Sequence, residues 1–463
     1  MATGKRKALF VAFEKIPWHR GISCWMMEEI KALAAHFELD VLSIKDGDMP
    51  HLERFRGARM LRVPVGNGPI LSQLKAFQRA VQRQMESDDY QLCHYHSIWE
   101  GVWLNSVKET HSLRLVYEIH SLPSMDFGSV YPLEAAAVND WIPLESAERA
   151  CLAAADRVIV GSRTLKKQLL QQGVSRIRVV LAPPSIDLAT LEPSDEPDKP
   201  AGAVFYLGDL KPWHGISSLL NATERLSRRM SFRLIFQVEP SDPWHRELKG
   251  KIEMLGLSNV VEFLPPVSID RLAPTIGRAT VCVAPYGNHP HNTSGVAVPH
   301  KLLTYMGYGR PVVATDQPVV REIMVDGEHG MIVQPGDAGA LADAIQRMLI
   351  NRKESARMGE QARQHIKKHF DLNTSLRRIV DLYDQLLKGP SGEVEEGSQH
   401  AATGLSSEAE TAITQINFDP LIFEKEDTLP GDQPSDREIT VIVRPQEEMD
   451  TMPKISQPKD SKI

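Results

Sequence analysis

The side chains best placed to do chemistry in this chain are basic, and they stand where strands run into helices. The stretch Thr293–Asp316 reads TSGVAVPHKLLTYMGYGRPVVATD. A buried strand over Thr280–Pro285 feeds a polar loop, and Pro299 fits the first turn of a helix, where its missing N–H costs nothing. That helix carries Lys301 and Thr304, stops at Gly309, and Pro311 opens the next strand, Val312–Thr315. Free backbone N–H groups and the helix dipole favour an anion at such a start, and Lys301 adds charge. The stretch reads as the cradle of a diphosphate, built from the main chain at Thr293, Ser294, Gly295 and Pro299–Lys301, with His300 and Thr304 alongside. An ordinary strand–helix–strand unit is the other reading of the same residues.

A second loop, Tyr206-Leu-Gly-Asp-Leu-Lys-Pro-Trp-His-Gly215, follows another strand. Gly208 and Gly215 bracket its turn, Asp209 lies inside it, and Lys211 and His214 are suited to phosphate oxygens. Two such loops on one sheet edge can embrace one diphosphate; a surface loop with a packed Trp213 is the alternative. Towards the N-terminus, His94 and His96 end one strand and His120 ends the next. Histidines at strand ends facing a cleft can exchange protons near neutral pH. Trp18, His19 and Gly21 form the first strand-to-helix loop, whose single glycine rules out a dinucleotide fingerprint. His289, His291 and His300 lack a carboxylate at ligand spacing, so no metal is expected there.

The elements that position these groups alternate. Strand patterns fall at 8–13, 38–44, 58–65, 91–96, 113–119, 157–160 and 178–181, with amphipathic helices at 25–35, 74–85 and 145–154. After the break at 191–201, strands recur at 204–207, 233–238, 260–264, 281–285, 312–315 and 331–333, with helices at 216–228, 247–255, 269–276, 299–307, 338–351, 355–369 and 376–387. Strand then helix, repeated, means parallel sheets covered on both faces. The expected fold is α/β: two doubly wound, Rossmann-like domains facing across a cleft. Residues 1–190 form the first domain, 191–201 a linker rich in proline and charge, and 202–388 the second domain. Its last helix, about 374–388, is expected to return to the first domain.

Of 60 acidic and 53 basic residues, 16 and 6 fall in 389–463, leaving 44 and 47 before it. The acidic tail reads as disordered, because it cannot bury enough to offset its ordering entropy. The mildly basic remainder suits an anionic small molecule or a peripheral membrane contact, and is too weakly basic for nucleic acid. Four unpaired cysteines, no signal peptide and no spanning segment place the chain in the cytoplasm, with membrane association compatible.

The order of motifs over about 7–389 resembles the GT-B glycosyltransferases of the family 4 kind. Tyr117-Glu-Ile-His120 resembles the strand ending in the family's active-site histidine, and Ala155-Asp-Arg-Val-Ile-Val-Gly-Ser162 and Pro184-Ser-Ile-Asp187 resemble two further segments. Gly208–Gly215 is similar to its phosphate loop, and Gly307-Tyr-Gly-Arg-Pro-Val-Val-Ala314 and Val325–Val333 to its C-terminal signatures. The resemblance implies a retaining transfer of sugar from a nucleoside-diphosphate sugar to a glycan, lipid-linked or small acceptor. His120, Lys211 and Lys301 would be the catalytic groups, and His19, Gly21, His94 and His96 the acceptor side. No cofactor beyond the nucleotide sugar and no metal would be required. Four positions depart from the family: Asp209 replaces its loop arginine, His214 its loop lysine, and Val296 and Thr304 its paired glutamates. The alternative is therefore a catalytically inactive GT-B protein used for binding or scaffolding, with the tail docking a protein partner. A nucleotide-sugar epimerase or a phosphorylase fits less well, for want of a carboxylate cluster or a Schiff-base lysine.

Overall fold

The computed structural model describes residues 6–18, 21–191, 202–268 and 271–388. His19, the linker beyond Leu191 and the tail 389–463 lie outside the described residues. The first sheet has eight strands: β1 (Lys7–Lys15), β2 (Glu38–Ile44), β3 (Leu52–Phe55), β4 (Ala58–Val63), β5 (Leu92–Tyr95), β6 (Arg114–Ile119), β7 (Arg157–Val160) and β8 (Val179–Leu181). Their order is β3-β4-β2-β1-β5-β6-β7-β8, and only the β3–β4 pair is antiparallel. The second sheet is wholly parallel: β9 (Ala203–Leu207), β10 (Arg233–Gln237), β11 (Val261–Leu264), β12 (Val281–Ala284), β13 (Val312–Thr315) and β14 (Gly330–Val333), ordered β11-β10-β9-β12-β13-β14.

Apolar runs such as Leu-Phe-Val-Ala in β1 bury both faces, as a helix-covered parallel sheet requires. Sequence reasoning omitted β3. Its Leu-Glu-Arg-Phe is half exposed at the sheet edge, and it pairs with β4 through a two-residue turn in which Arg56 and Gly57 have φ of 50° and 93°. Two positive φ values match the twist of a tight hairpin, yet Arg-Gly is a weak turn signal.

Strand order reverses between β1 and β5 and again between β9 and β12. Crevices open outside the carboxyl ends of such strands, so those four ends define where a ligand can sit. One face of the first sheet is covered by the helix Ile22–His36 together with the last helix, Leu372–Lys388. That last helix comes from beyond the second sheet. It buries Ile379, Leu382 and Tyr383, spaced for one helical face, against Phe37 and the β1 side chains Ala8 and Phe10. Each such side chain stabilises the docking by about 1.5–3 kcal/mol, and Arg6 pairs with Asp384 at the margin. No described helix is long and apolar enough to cross a membrane.

Candidate functional site

A cleft of about 1100 Å³, open solvent included, lies at the carboxyl ends of β9 and β12. From the predicted residues it gathers Gly208, Asp209, His214, His300, Lys301 and Thr304, and from the first domain Gly21. Lys301 is the second residue of the helix His300–Gly307, and its ammonium is held, half-buried, in an aromatic box. It donates to Tyr206 Oη at 2.9 Å, and lies 4.2 Å from the centre of the Tyr206 ring and 5.5 Å from that of Tyr286. Burial drives its pKa from the usual 10.5 to about 7, against the pull of Asp209. Among the described residues no carboxylate lies within 4.0 Å of it. A desolvated cation at a helix N-terminus, with first-turn N–H groups beside it, is built to receive an anion.

The loop from β9 is shaped to let an anion approach. Tyr206 donates to Asp209 O at 2.5 Å, and the Nδ1–H of His214 donates to the same oxygen at 2.7 Å. Burial, with Lys301 nearby, holds the His214 pKa well below the usual value. The ring is therefore neutral, and its Nε2 offers a lone pair rather than a charge. Gly215 has φ of 67°, and a Cβ there would meet Pro285 O at 1.7 Å. Gly208 lets the Lys301 ammonium approach, since its own Cβ would sit 3.3 Å from Nζ.

Several predicted residues stand elsewhere. Lys211 is absent from the lining; its side chain is 40% exposed, with the ammonium 3.9 Å from Asp209 and 5.4 Å from the Trp213 ring. Its charge is felt by Glu14 and Tyr131 of the first domain, so it stands at the rim. Thr293, Ser294 and Gly295 do not form the amide cradle. A short helix, Pro290–Thr293, uses the N–H groups of Thr293 and Ser294 internally, at 3.1 and 2.9 Å. Gly295 instead packs on Thr164 and accepts from Ser162 Oγ. Val296 is buried in the first domain's core, so nothing charged replaces the family's first glutamate. Thr304 Oγ1 donates back to His300 O at 3.0 Å, leaving its lone pairs towards the cleft as a neutral acceptor.

On the first-domain side, His120 comes from the end of β6 and is only partly buried. Burial lowers its pKa, opposed by Glu118. It shares a 3.1 Å hydrogen bond with His96 Nδ1, and its charge acts on His300, whose pKa burial takes to about 3. His94 and His96 do not face the cleft. They are 0% and 5% exposed, on the sheet face covered by the helices Ile22–His36 and Leu372–Lys388. His289 and His291 contact the first domain rather than a common centre: His289 is 3.0 Å from Ser129 Oγ, and His291 donates to Asp126 at 2.8 Å.

Tyr206 and Tyr286, which hold Lys301, were not singled out from the sequence. Their signal was position, just inside β9 and just beyond β12. Glu322 was also missed. Its carboxylate accepts from the N–H groups of Arg163 and Thr164, both at 2.7 Å, and so caps the helix Arg163–Gln171 from across the cleft. Glu322→Ala is expected to raise the KM for donor several-fold by loosening closure, with kcat changed less. Steady-state kinetics checks this.

Two doubly wound sheets with a cleft at their facing carboxyl ends, and the last helix returned to the first domain, define the GT-B architecture. A family model described as Glycosyltransferase Family 4 matches residues 20–190, and one described as Glycosyl transferases group 1 matches residues 201–351. The chain belongs to the GT-B glycosyltransferases of the family 4 type, and is a transferase enzyme. It is 28% identical over 365 residues to the D-inositol 3-phosphate glycosyltransferase of Geodermatophilus obscurus, covering 73% of this chain and 76% of that protein. It is 24% identical over 397 residues to the protein of that name from Xylanimonas cellulosilytica, covering 80% and 92%. Among solved structures it is similar to a sucrose-phosphate synthase from Thermosynechococcus elongatus, with TM-score 0.68, 22% identity, and 83% and 100% of the two chains covered. The Anabaena protein HepE in complex with UDP-glucose gives TM-score 0.61 and 19% identity, with 82% and 99% covered.

Proposed function

We propose that this glycosyltransferase takes its sugar from a nucleoside-diphosphate sugar and passes it, with retention, to a hydroxyl held on the first-domain side. The observation that carries the reading is the Lys301 ammonium, half-buried with no carboxylate of the described residues in salt-bridge range, at the start of the helix His300–Gly307. The solved neighbour HepE, in complex with UDP-glucose, supports a nucleoside-diphosphate sugar. The C1–oxygen bond to the β-phosphate breaks as the acceptor oxygen bonds to C1, and the acceptor proton passes to the departing diphosphate. Charge on that leaving group grows in the transition state, and Lys301 with the N–H groups of His300 and Lys301 is fixed in advance to meet it. His120 orients the acceptor as a neutral imidazole. Thr304 takes the ribose through a neutral hydrogen bond, weaker than the charge-assisted one of a glutamate. The diphosphate charge is met without a divalent cation, so added Mg²⁺ should leave the rate unchanged.

A pH profile follows from Lys301. The protonated form binds the anion, and its free-enzyme pKa is about 7. kcat/KM should therefore be level below pH 7 and fall towards tenfold per pH unit above it. Diphosphate binding near pH 7.5 should take up a proton, measurable by titration calorimetry in buffers of different ionisation enthalpy. A flat profile with no proton uptake would remove Lys301 from the role. Product anomeric configuration by NMR tests retention. No transfer with any donor would favour the inactive binding protein.

A further inference from the structure

On the helix-covered face of the first sheet, three buried side chains, His94, His96 and Glu118, each offer a ligand atom, and His94 Nε2, His96 Nε2 and Glu118 Oε2 make no aligned hydrogen bond. The ligand atoms all lie within 4.8 Å of one another. We propose that they bind a divalent transition-metal ion, Zn²⁺ in the first instance, as a structural centre of the first domain.

The second atoms of these groups are each already engaged. His94 Nδ1 is 3.1 Å from Tyr383 Oη, and His96 Nδ1 is 3.1 Å from His120 Nε2. Glu118 Oε1 accepts from Trp25 Nε1 at 2.9 Å. Histidine and carboxylate ligands whose outer atoms are held in this way have fixed tautomers and fixed aim. His94 Nε2 and Glu118 Oε2 stand 3.2 Å apart yet are misaligned for a hydrogen bond. That separation is close to the edge of a tetrahedron with bonds of about 2.0 Å, roughly 3.3 Å. Glu29, on the helix Ile22–His36, is fully buried beside Glu118, and burial with that neighbouring carboxylate holds its pKa well above the usual range. It lies outside the 4.8 Å group, so it completes the shell by turning towards the ion. Two imidazoles and carboxylates suit Zn²⁺, and complete burial excludes the open position that a catalytic ion keeps.

The strands explain the placement. His94 and His96 project to one face at i and i+2, and Glu118 lies across from His96 on the neighbouring strand, one step beyond the Tyr95–Tyr117 pair. A bound ion would fasten the last helix through Tyr383 and His120 through His96, staking a cleft residue to the core.

The test uses the full chain, stripped with chelator and reloaded with one equivalent of Co²⁺ or Zn²⁺. Expected are visible absorption bands of tetrahedral Co²⁺, one tightly held Zn²⁺ by mass spectrometry, and a melting temperature raised by several degrees. Glu29→Gln and His94→Asn should each weaken Co²⁺ binding at least tenfold. Absence of the bands in folded wild-type protein would overturn the assignment, whatever the variants do. A second histidine group, His329, His365 and His369, has rings 4.3–4.6 Å apart and serves as the control. His365→Ala must leave the bands intact, and their loss there would move the ion out of the first domain.

Discussion

Replacing Lys301 with methionine lowers kcat/KM about a hundredfold, roughly 2.7 kcal/mol of transition-state stabilisation. Methionine keeps the length and the apolar stem, so the box of Tyr206 and Tyr286 stays filled while the charge is lost. The same change should stabilise the fold, and the sign follows from linkage. The ammonium titrates near pH 7 in the folded chain and near 10.5 unfolded. Between those values the unfolded chain binds more protons, so wild-type stability rises with pH across that window. The cost of burying Lys301 is complete below pH 7 and shrinks towards pH 10.5. The melting temperature of Lys301→Met should therefore exceed that of wild type by more at pH 6.5 than at pH 9. Calorimetric melts at the two pH values, beside steady-state kinetics, separate the two effects. A variant that lost activity with no gain at pH 6.5 would mark Lys301 as structural.

Gly215→Ala should be the most damaging conservative change in the donor wall. The new Cβ would lie 1.7 Å from the carbonyl oxygen of Pro285, and that neighbour is backbone, which cannot swing aside. Positive φ adds about 1–2 kcal/mol of strain. The shift would break the hydrogen bonds that Trp213 O receives from Gly287 N and Asn292 Nδ2, both 2.8 Å, which fasten the β9 loop to the exit of β12. A loss of at least about 3 kcal/mol is expected, with the donor KM raised in any protein that still folds. Gly250→Ala is the control. Gly250 lies in the helix His245–Met254 with nothing within 4 Å of its Cβ, so alanine there should stabilise by about 0.5–1 kcal/mol. Equal thermal melts for the two variants would contradict the close approach.

Much of the fold was legible because buried strands announce themselves. Arg157–Val160 and Val312–Thr315 are apolar, β-branched and bounded by turn residues, and both begin and end where the sequence placed them. Short or edge elements escaped. The helix Ile98–Val107 was missed, although Ser97 and Glu100 form a capping box that the spacing S-x-x-E announces. Glu322 caps a helix 158 residues away in sequence, which local spacing cannot show.

The site divides the same way. Lys301 was readable because a proline-started helix after a buried strand fixes where a nearby lysine goes. The amides at 293–295 were misjudged because Pro290–Thr293 closed into a helical turn of their own. His94 and His96 end their strand as expected, but strand parity sends them to the face covered by the helix Ile22–His36. Which face lies under helices depends on chain order across the whole sheet. Lys211 has the right charge in the right loop, and the turn at Pro212 carries it to the rim.

The most direct test of the donor reading is calorimetric titration of the wild-type chain and Lys301→Met with UDP, GDP and ADP at pH 6.5. At least one should bind wild type with one-to-one stoichiometry and bind the variant at least tenfold more weakly, about 1.4 kcal/mol. No binding by any of the three, or equal affinity in the variant, would contradict a diphosphate held by Lys301.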